Sequence, residues 1–485
     1  MQKQSQGSLA LFLIQIFSTL SFSILYSTLV LYITNGLKLD DVFATSLTAS
    51  FIAFNYALHL IGGLITGRLF SHRSLFALGM LLQATGCYLL SLNNLYLGLA
   101  VYLSGTGLNV TCINCMLTQF FSPHDKKREK AFLWNYSGMN LGFFIGFTIS
   151  GFFEKLANYS NLFLIGALFN VIAFLIVLSF WKILKDKNTY FSILKKKKRY
   201  IFRIFGLILI FFIILSLLWL LKYSAFSNAM ILIVGSAMLL LIVFFALNQK
   251  NKLDKQKIFA FLILALTALI FWTLYMSAPM GLTLFVENNV NRHFLGLLIP
   301  PQWVLNINSI IIIIGGPLMA YIFKNLRKKG FNISIPLQFS LSLFLIGLGF
   351  ILLGISVNFA DSKGFVSFNW ILASYTFQSL GELFISPIGY AMIGQLISYK
   401  LQSIFMGTWM MLTGVAAIFS NIFAKMAIGT SPKTNPLITN PHFSKTFNIL
   451  GITTVIAGIC LLCLVPFLQR LIKEKKPEKP SKMPM

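Results

Sequence analysis

The chain has 485 residues, of which 57% are hydrophobic, 15% aromatic and only 11% charged. Soluble globular domains carry about 25% charged residues, so the composition excludes a soluble enzyme or nucleic-acid-binding domain and indicates a polytopic membrane protein. The net charge of +27 is concentrated in a subset of the loops, which makes it a topology signal rather than a nucleic-acid footprint.

Apolar runs of about 20 residues, enough to cross a hydrocarbon core about 30 Å thick, recur from end to end and predict fourteen spans. The first, 8–34, follows MQKQSQG without a small-residue cleavage site, so it reads as a span rather than a removable signal. Five more are expected at 44–67, 74–92, 95–121, 132–152 and 159–181. A basic linker, WKILKDKNTYFSILKKKKRY, leads to two spans at 200–221 and 225–247 that are almost entirely Leu, Ile and Phe. With no polar stripe to line a water-filled path, this pair reads as a lipid-facing hairpin. The last six are expected at 257–286, 303–324, 334–356, 366–397, 401–427 and 445–473.

The predicted fold class is therefore an all-α membrane protein built as six plus two plus six helices. Residues 1–181 form one bundle, 182–256 the linker and insertion, 257–473 a second bundle, and 474–485 a tail. With a cytoplasmic N-terminus, the inside segments hold 31 of the 39 Lys and Arg residues, as the positive-inside rule requires. Both termini are then cytoplasmic. The loops KKREK (126–130) and KKKKR (195–199) are placed to touch anionic lipid headgroups. The tail LIKEKKPEKPSKMPM is short, basic and expected to be disordered.

The two halves share a faint echo. GGLITGRLFSHRS ends the second span and GGPLMAYIFKNLRKKG ends its counterpart in the second half. Parallel repeats of this kind characterise the major facilitator architecture, with a substrate site near the midplane between halves. The five cysteines, Cys87, Cys112, Cys115, Cys460 and Cys463, lie in apolar segments without His or acid neighbours and read as packing residues. No metal or cofactor is expected.

Polar groups within spans need a reason, because a charge at the midplane costs on the order of 2.5 kcal/mol or more. Gln15, Thr19, Phe22 and Tyr26 share one face of the first span. Asn55, Tyr56 and His59 sit in the second, Asn109, Thr111 and Asn114 in the fourth, and Tyr136 and Asn140 in the fifth. The second half offers Tyr275, Ser277, Asn306 and Asn308. Most such residues join helices by hydrogen bonds. The stretch at 366–397 stands apart, with Tyr375, Gln378, Ser379, Glu382, Ser386 and Tyr390 at helical spacing. Glu382 is the one acid inside a span, and no span centre holds a Lys or Arg. It must be protonated, hydrated in a cavity or paired with a ligand cation. Pro387, which cannot donate to the carbonyl of Leu383, and Gly381 mark an expected hinge beside it.

On these motifs the chain resembles the proton-dependent oligopeptide transporters of the major facilitator superfamily, including the two inserted helices of bacterial members. The stretches that carry the resemblance are AFLWNYSGMNLGFFIGF, FWTLYMSAPMGLTLF, IPPQWVLNINS, FQSLGELFISPIGYAM and FMGTWMML. The resemblance implies a peptide pocket with Tyr56, Tyr136, Asn140 and Asn308 on substrate polar groups, and Glu382 facing the substrate's amino terminus. The family's E-x-x-E-R motif falls on Gln15 to Thr19, which reads QIFST. A further arginine falls on Tyr26, a lysine on Val110, a Glu-Gln pair on Met276 and Ser277, and an acid on Gly67. Acids and cations have been lost together, so no stranded buried charge remains.

The function expected is secondary transport of small peptides or peptide-like amine-bearing solutes by alternating access, with Glu382, Tyr56, Asn140, Asn308, Tyr136, Tyr26 and Ser386 on the substrate. Proton coupling, if present, runs through Glu382 with His59. The alternatives are a facilitator, exchanger or exporter of a non-peptide metabolite or drug, and a transport-inactive sensor. No catalytic dyad, phosphate loop or metal set suggests an enzyme. The expected partners are the solute, protons and the bilayer, with no nucleic acid, and the protein is expected to be a monomer in a bacterial inner membrane.

Overall fold

The computed structural model describes residues 2–121, 126–187, 189–330, 333–398, 401–429 and 435–472. Six long helices come first: α1 (Gln2–Leu31), α2 (Asp41–Ile65), α3 (His72–Ser91), α4 (Leu95–Thr118), α5 (Lys126–Lys155) and α6 (Tyr159–Ser179). A single π-turn, Tyr32–Gly36, extends α1. A short α7 (Tyr190–Ile193) then leads to the inserted pair α8 (Lys196–Lys222) and α9 (Ser224–Leu247). The remainder comprises α10 (Lys252–Tyr275), α11 (Gly281–Asn289), α12 (Pro301–Lys328), α13 (Ile335–Ser356), α14 (Phe368–Leu396), α15 (Gln402–Ile428) and α16 (Pro436–Ile472).

Twelve described helices are long and apolar enough to cross a bilayer. The other two long helices, α5 and α14, have 30 and 29 residues. Counting α10 and α11 as one interrupted crossing, the chain has fourteen, a multi-pass membrane protein of the expected fold class.

The helices pack according to which faces are apolar and small. α1 lies against α5 and α6, and α3 against α4 and α6, while α13 lies against α14 and α16 and α12 against α14. Two seams join these groups: α2 with α15, and α5 with α12. The inserted pair sits outside them, α8 on α4 and α9 on α15, α10 and α2. Its outer residues, such as Phe205, Phe211, Phe212, Leu240 and Phe244, are exposed, as a lipid-facing surface requires. The pair nevertheless has one polar tie that its apolar composition hides. Ser50 Oγ of α2 donates to Asn228 Oδ1 of α9 at 2.7 Å, and both residues are buried.

One element differs from the sequence expectation, and the basic linker carries structure that the sequence did not indicate. The run 257–286 is not one helix: α10 stops at Tyr275 and α11 begins at Gly281. Pro279 lacks an N–H and disfavours helical backbone at the residue before it. At the break Ala278 N–H donates to Tyr275 O at 3.2 Å, and side chains add to the backbone bonds, Ser277 Oγ donating to Leu274 O and Thr283 Oγ1 to Ala278 O, both at 2.6 Å. The basic linker is also partly built rather than loose. Asp186 accepts from the His72 backbone N–H at 3.1 and 3.0 Å, and Phe191 N–H donates to Gly67 O at 2.9 Å. The Phe191 side chain is buried, so α7 is strapped across the ends of α2 and α3.

Candidate functional site

α14 carries Tyr375, Gln378, Ser379 and Glu382 on a buried face. Their spacing of three and four residues puts them on one stripe. Asn308 Nδ2 of α12 donates to Glu382 Oε2 at 2.7 Å and to Ser379 Oγ at 3.2 Å. The Tyr275 hydroxyl donates to Asn308 Oδ1 at 3.4 Å and also interacts with the Glu382 carboxylate. Tyr275 is the last residue of α10, so the break at Pro279 sits one turn beyond the site. Hydrogen bonds to an ionised carboxylate are roughly twice as strong as neutral ones. They do not amount to a counter-charge. Among the described residues no Lys or Arg pairs with Glu382.

The first six helices contribute neutral groups to the same space. The Tyr26 hydroxyl lies 4.0 Å from Met276 Sδ and within electrostatic range of Tyr56, Tyr375 and Glu382. Its ring packs between Phe22 and Phe147, with centroids 5.8 and 6.4 Å away. Tyr136 of α5 interacts with Ser386 of α14 and with Asn140, and its hydroxyl also feels Glu382. Tyr26, Tyr56, Tyr136, Tyr275, Asn308, Ser386 and Glu382 thus converge from α1, α2, α5, α10, α12 and α14.

Other expected residues are placed differently. Asn140 donates to the Tyr136 carbonyl at 3.0 Å, committing an amide hydrogen to its own helix. His59 is buried, its ring meets Tyr56 at 6.0 Å, and neither ring nitrogen has a hydrogen-bond partner among the described residues. Nothing there joins it to Glu382. Gly381 is buried, and a Cβ on it would lie 3.0 Å from Ser342 O of α13. Its smallness therefore serves close packing of α14 on α13. The side chains of Pro387 and Tyr390 lie outside the described residues.

A second polar cluster, of which only Asn306 was expected, closes the α5–α12 seam. Glu154 lies in the last turn of α5, past the expected end at residue 152. Its Oε2 accepts from Gln302 Nε2 of α12 at 2.8 Å. Its Oε1 accepts from the Tyr159 hydroxyl at 2.6 Å and Asn35 Nδ2 at 3.4 Å. Trp303 Nε1 donates to Thr148 O and Asn306 Nδ2 to Thr148 Oγ1, both at 2.9 Å. The Trp303 indole lies against Gly151, where any Cβ would collide with it. Toward the other end of α5, Leu133, Trp134 and Tyr136 are exposed. The seam is thus shut on one side of the Glu382 site.

The POT family (PTR2) matches residues 68–437, from the end of α2 to the start of α16. The chain belongs to the POT family. Among curated POT relatives, dipeptide and tripeptide permease A of Salmonella typhimurium is 26% identical over 480 residues, covering 97% of this chain and 94% of its own length. Dipeptide and tripeptide permease B of Xenorhabdus bovienii is 26% identical over 474 residues, covering 96% of each. A peptide transporter POT solved in complex with sulfate superposes with a TM-score of 0.82 at 22% identity, over 97% of this chain and 96% of that one. A POT family transporter solved with 5-aminolevulinic acid gives 0.81 at 22%, over 95% and 96%. At that identity the solved structures establish the POT fold.

Proposed function

We propose that the protein is a secondary transporter of small peptides or peptide-like amine-bearing solutes. Residues 1–181 and 257–473 form the two moving halves, 182–256 the inserted segment and 474–485 a tail. The solute's cation docks on Glu382, held in place by Asn308 and Tyr275. Its neutral end meets Tyr26, Tyr56, Tyr136, Asn140 and Ser386. The observation that carries this reading is a buried carboxylate with amide and hydroxyl donors but no cationic partner among the described residues. An unpaired buried carboxylate is costly, and a ligand ammonium or a proton relieves that cost.

The names of the permease relatives support peptides as the solute class. The loss of positive groups from the first half argues for solutes without a free carboxylate. With both termini cytoplasmic in a bacterial inner membrane, the sealed Glu154 end faces outward and the open end inward. On that orientation the protein is an inward-facing monomer. Proton coupling runs through Glu382, and buried His59 is a secondary candidate.

The test is uptake of a labelled peptide panel into proteoliposomes, with and without an inward proton gradient, for wild type and Glu382→Gln. Gradient-driven accumulation that the substitution abolishes assigns both docking and coupling to Glu382. Gradient-independent flux lost on substitution assigns docking alone. Unchanged uptake by Glu382→Gln contradicts the reading.

A further inference from the structure

A cavity of about 550 Å³ that shares no lining residue with the Glu382 site lies on the flank where the inserted helix α8 leans over the end of α2. Ile61 and Leu64 of α2, Leu69 just beyond it, and Phe202 and Leu209 of α8 form its walls, with Tyr190 of the strap across one end. The walls are apolar and open to the side that faces lipid, where Ile61 and Leu64 are exposed. Phe202 and Leu209 are seven residues apart, so the groove runs about 10 Å along the α8 axis, within one leaflet's depth.

Its rim is cationic. Arg68 lines the mouth and is exposed, and its guanidinium has no hydrogen-bond or ion-pair partner among the described residues. The neighbouring arginines are already engaged. Arg73 donates to Trp181 O and lies over that indole at 4.4 Å, and Arg199 donates to Leu194 O at 2.7 Å. Lys195, Lys196, Lys197 and Lys198 are exposed at the start of α8, less than two turns before Phe202. The nearby acid, Asp186, is turned inward onto the His72 N–H and the Thr189 hydroxyl, leaving the rim positive.

We propose that this groove binds one anionic phospholipid from the leaflet on the basic side of the protein. An acyl chain lies between α2 and α8, and the headgroup phosphate sits on Arg68, with the Lys195–Lys198 run adding to the local field. An apolar slot in a membrane protein with an unpaired guanidinium at its polar mouth matches the two-part chemistry of such a lipid. The volume is in the range of small-molecule sites. The inserted pair thereby supplies the second wall of a lipid site. That the leaflet is the cytoplasmic one rests on the proposed orientation; the site itself does not.

The test is retention of phosphatidylglycerol against phosphatidylcholine by the delipidated full-length protein in detergent, read by native mass spectrometry. Preferential retention of phosphatidylglycerol by about fivefold is expected, the factor that one basic residue near a membrane surface supplies. Arg68→Gln should remove that preference, and Leu64→Trp, which fills the slot, should lower retention of both lipids. Arg68 is exposed, so its variant reports even if the Trp variant fails to fold. Equal retention of the two lipids by wild type, or an unchanged preference in Arg68→Gln, overturns the proposal. So does displacement of the lipid by inorganic phosphate alone, which would reduce the site to an anion contact. Detergent micelles have no leaflets, so failure here is distinct from failure of the orientation or of transport.

Discussion

The Asn308 side-chain amide donates to the carboxylate of the buried Glu382 at 2.7 Å, joining α12 to α14. The same amide also donates to Ser379, and its oxygen accepts from Tyr275. Asn308 therefore fixes where the only span-centre carboxylate points. Replacing it with Leu leaves Glu382 short of a donor, which costs about 1–3 kcal/mol for a buried group. Thermal unfolding should show that loss for Asn308→Leu and a smaller one for Asn308→Leu/Glu382→Gln, since the double variant no longer buries a charge. Equal losses would mean the pair is not coupled.

Glu382→Gln keeps the side-chain shape and removes the charge. Hydrogen bonds to charged groups contribute about 1.5–3 kcal/mol, so ligand affinity should fall by roughly 10- to 100-fold. Binding measured by calorimetry or scintillation proximity checks this, and an unchanged affinity would move the docking point elsewhere.

The Glu154 cluster and the Trp303–Gly151 contact hold one end of the α5–α12 seam. Gly151→Val pushes the indole away, and Glu154→Ala strands the donors of Gln302, Tyr159 and Asn35. Both should widen spin-label distances across that end while leaving those across the α2–α15 seam unchanged. Identical distance distributions in wild type and variants would show that the cluster does not hold the closed state.

Glu287 lies near the end of α11, one residue past the expected span 257–286, and is half-buried; that partial burial pushes its carboxyl above the ordinary range. Arg292 at 3.0 Å pulls it down, and Glu154 pushes it further up. Between the ordinary and the raised value the folded state binds more protons than the unfolded state. Stability therefore falls as pH rises through that window. Unfolding followed across the mildly acidic range should show wild type losing stability relative to Glu287→Gln as pH increases. Parallel profiles would contradict the assignment.

The Ser50–Asn228 bond is worth less. Interhelical hydrogen bonds in membranes average about 0.6 kcal/mol, so Asn228→Ala should lower the unfolding temperature slightly and leave transport intact. Loss of transport would give the inserted pair a role beyond lipid contact and packing.

Much of this fold was legible because the bilayer imposes a simple code: run length locates spans, and a carboxylate in an apolar run is conspicuous. Glu382 and its stripe could be read from spacing alone. The break between α10 and α11 had a signal in Pro279 and Gly281, but strong hydropathy on both sides masked it. Glu154 was not legible as a site residue. It sits beside Lys155 at a span end, and its partner Gln302 is 148 residues away, a contact that no local pattern encodes. Asn228 was hidden in the same way, a single amide in an apolar helix whose partner belongs to α2. For His59 the polarity suggested a site role; it is buried against Tyr56, with neither ring nitrogen hydrogen-bonded among the described residues.

On the proposed reading a lone carboxylate, Glu382, receives the solute's cation, and no protein cation receives the solute's carboxylate. The most direct measurement is competition for transport in proteoliposomes by dialanine with its carboxylate free and with it capped as an amide, in wild type and Glu382→Gln. The capped form should compete more strongly in wild type, and neither form should compete in the variant. Strong saturable uptake of free dialanine, undiminished in Glu382→Gln, would contradict it.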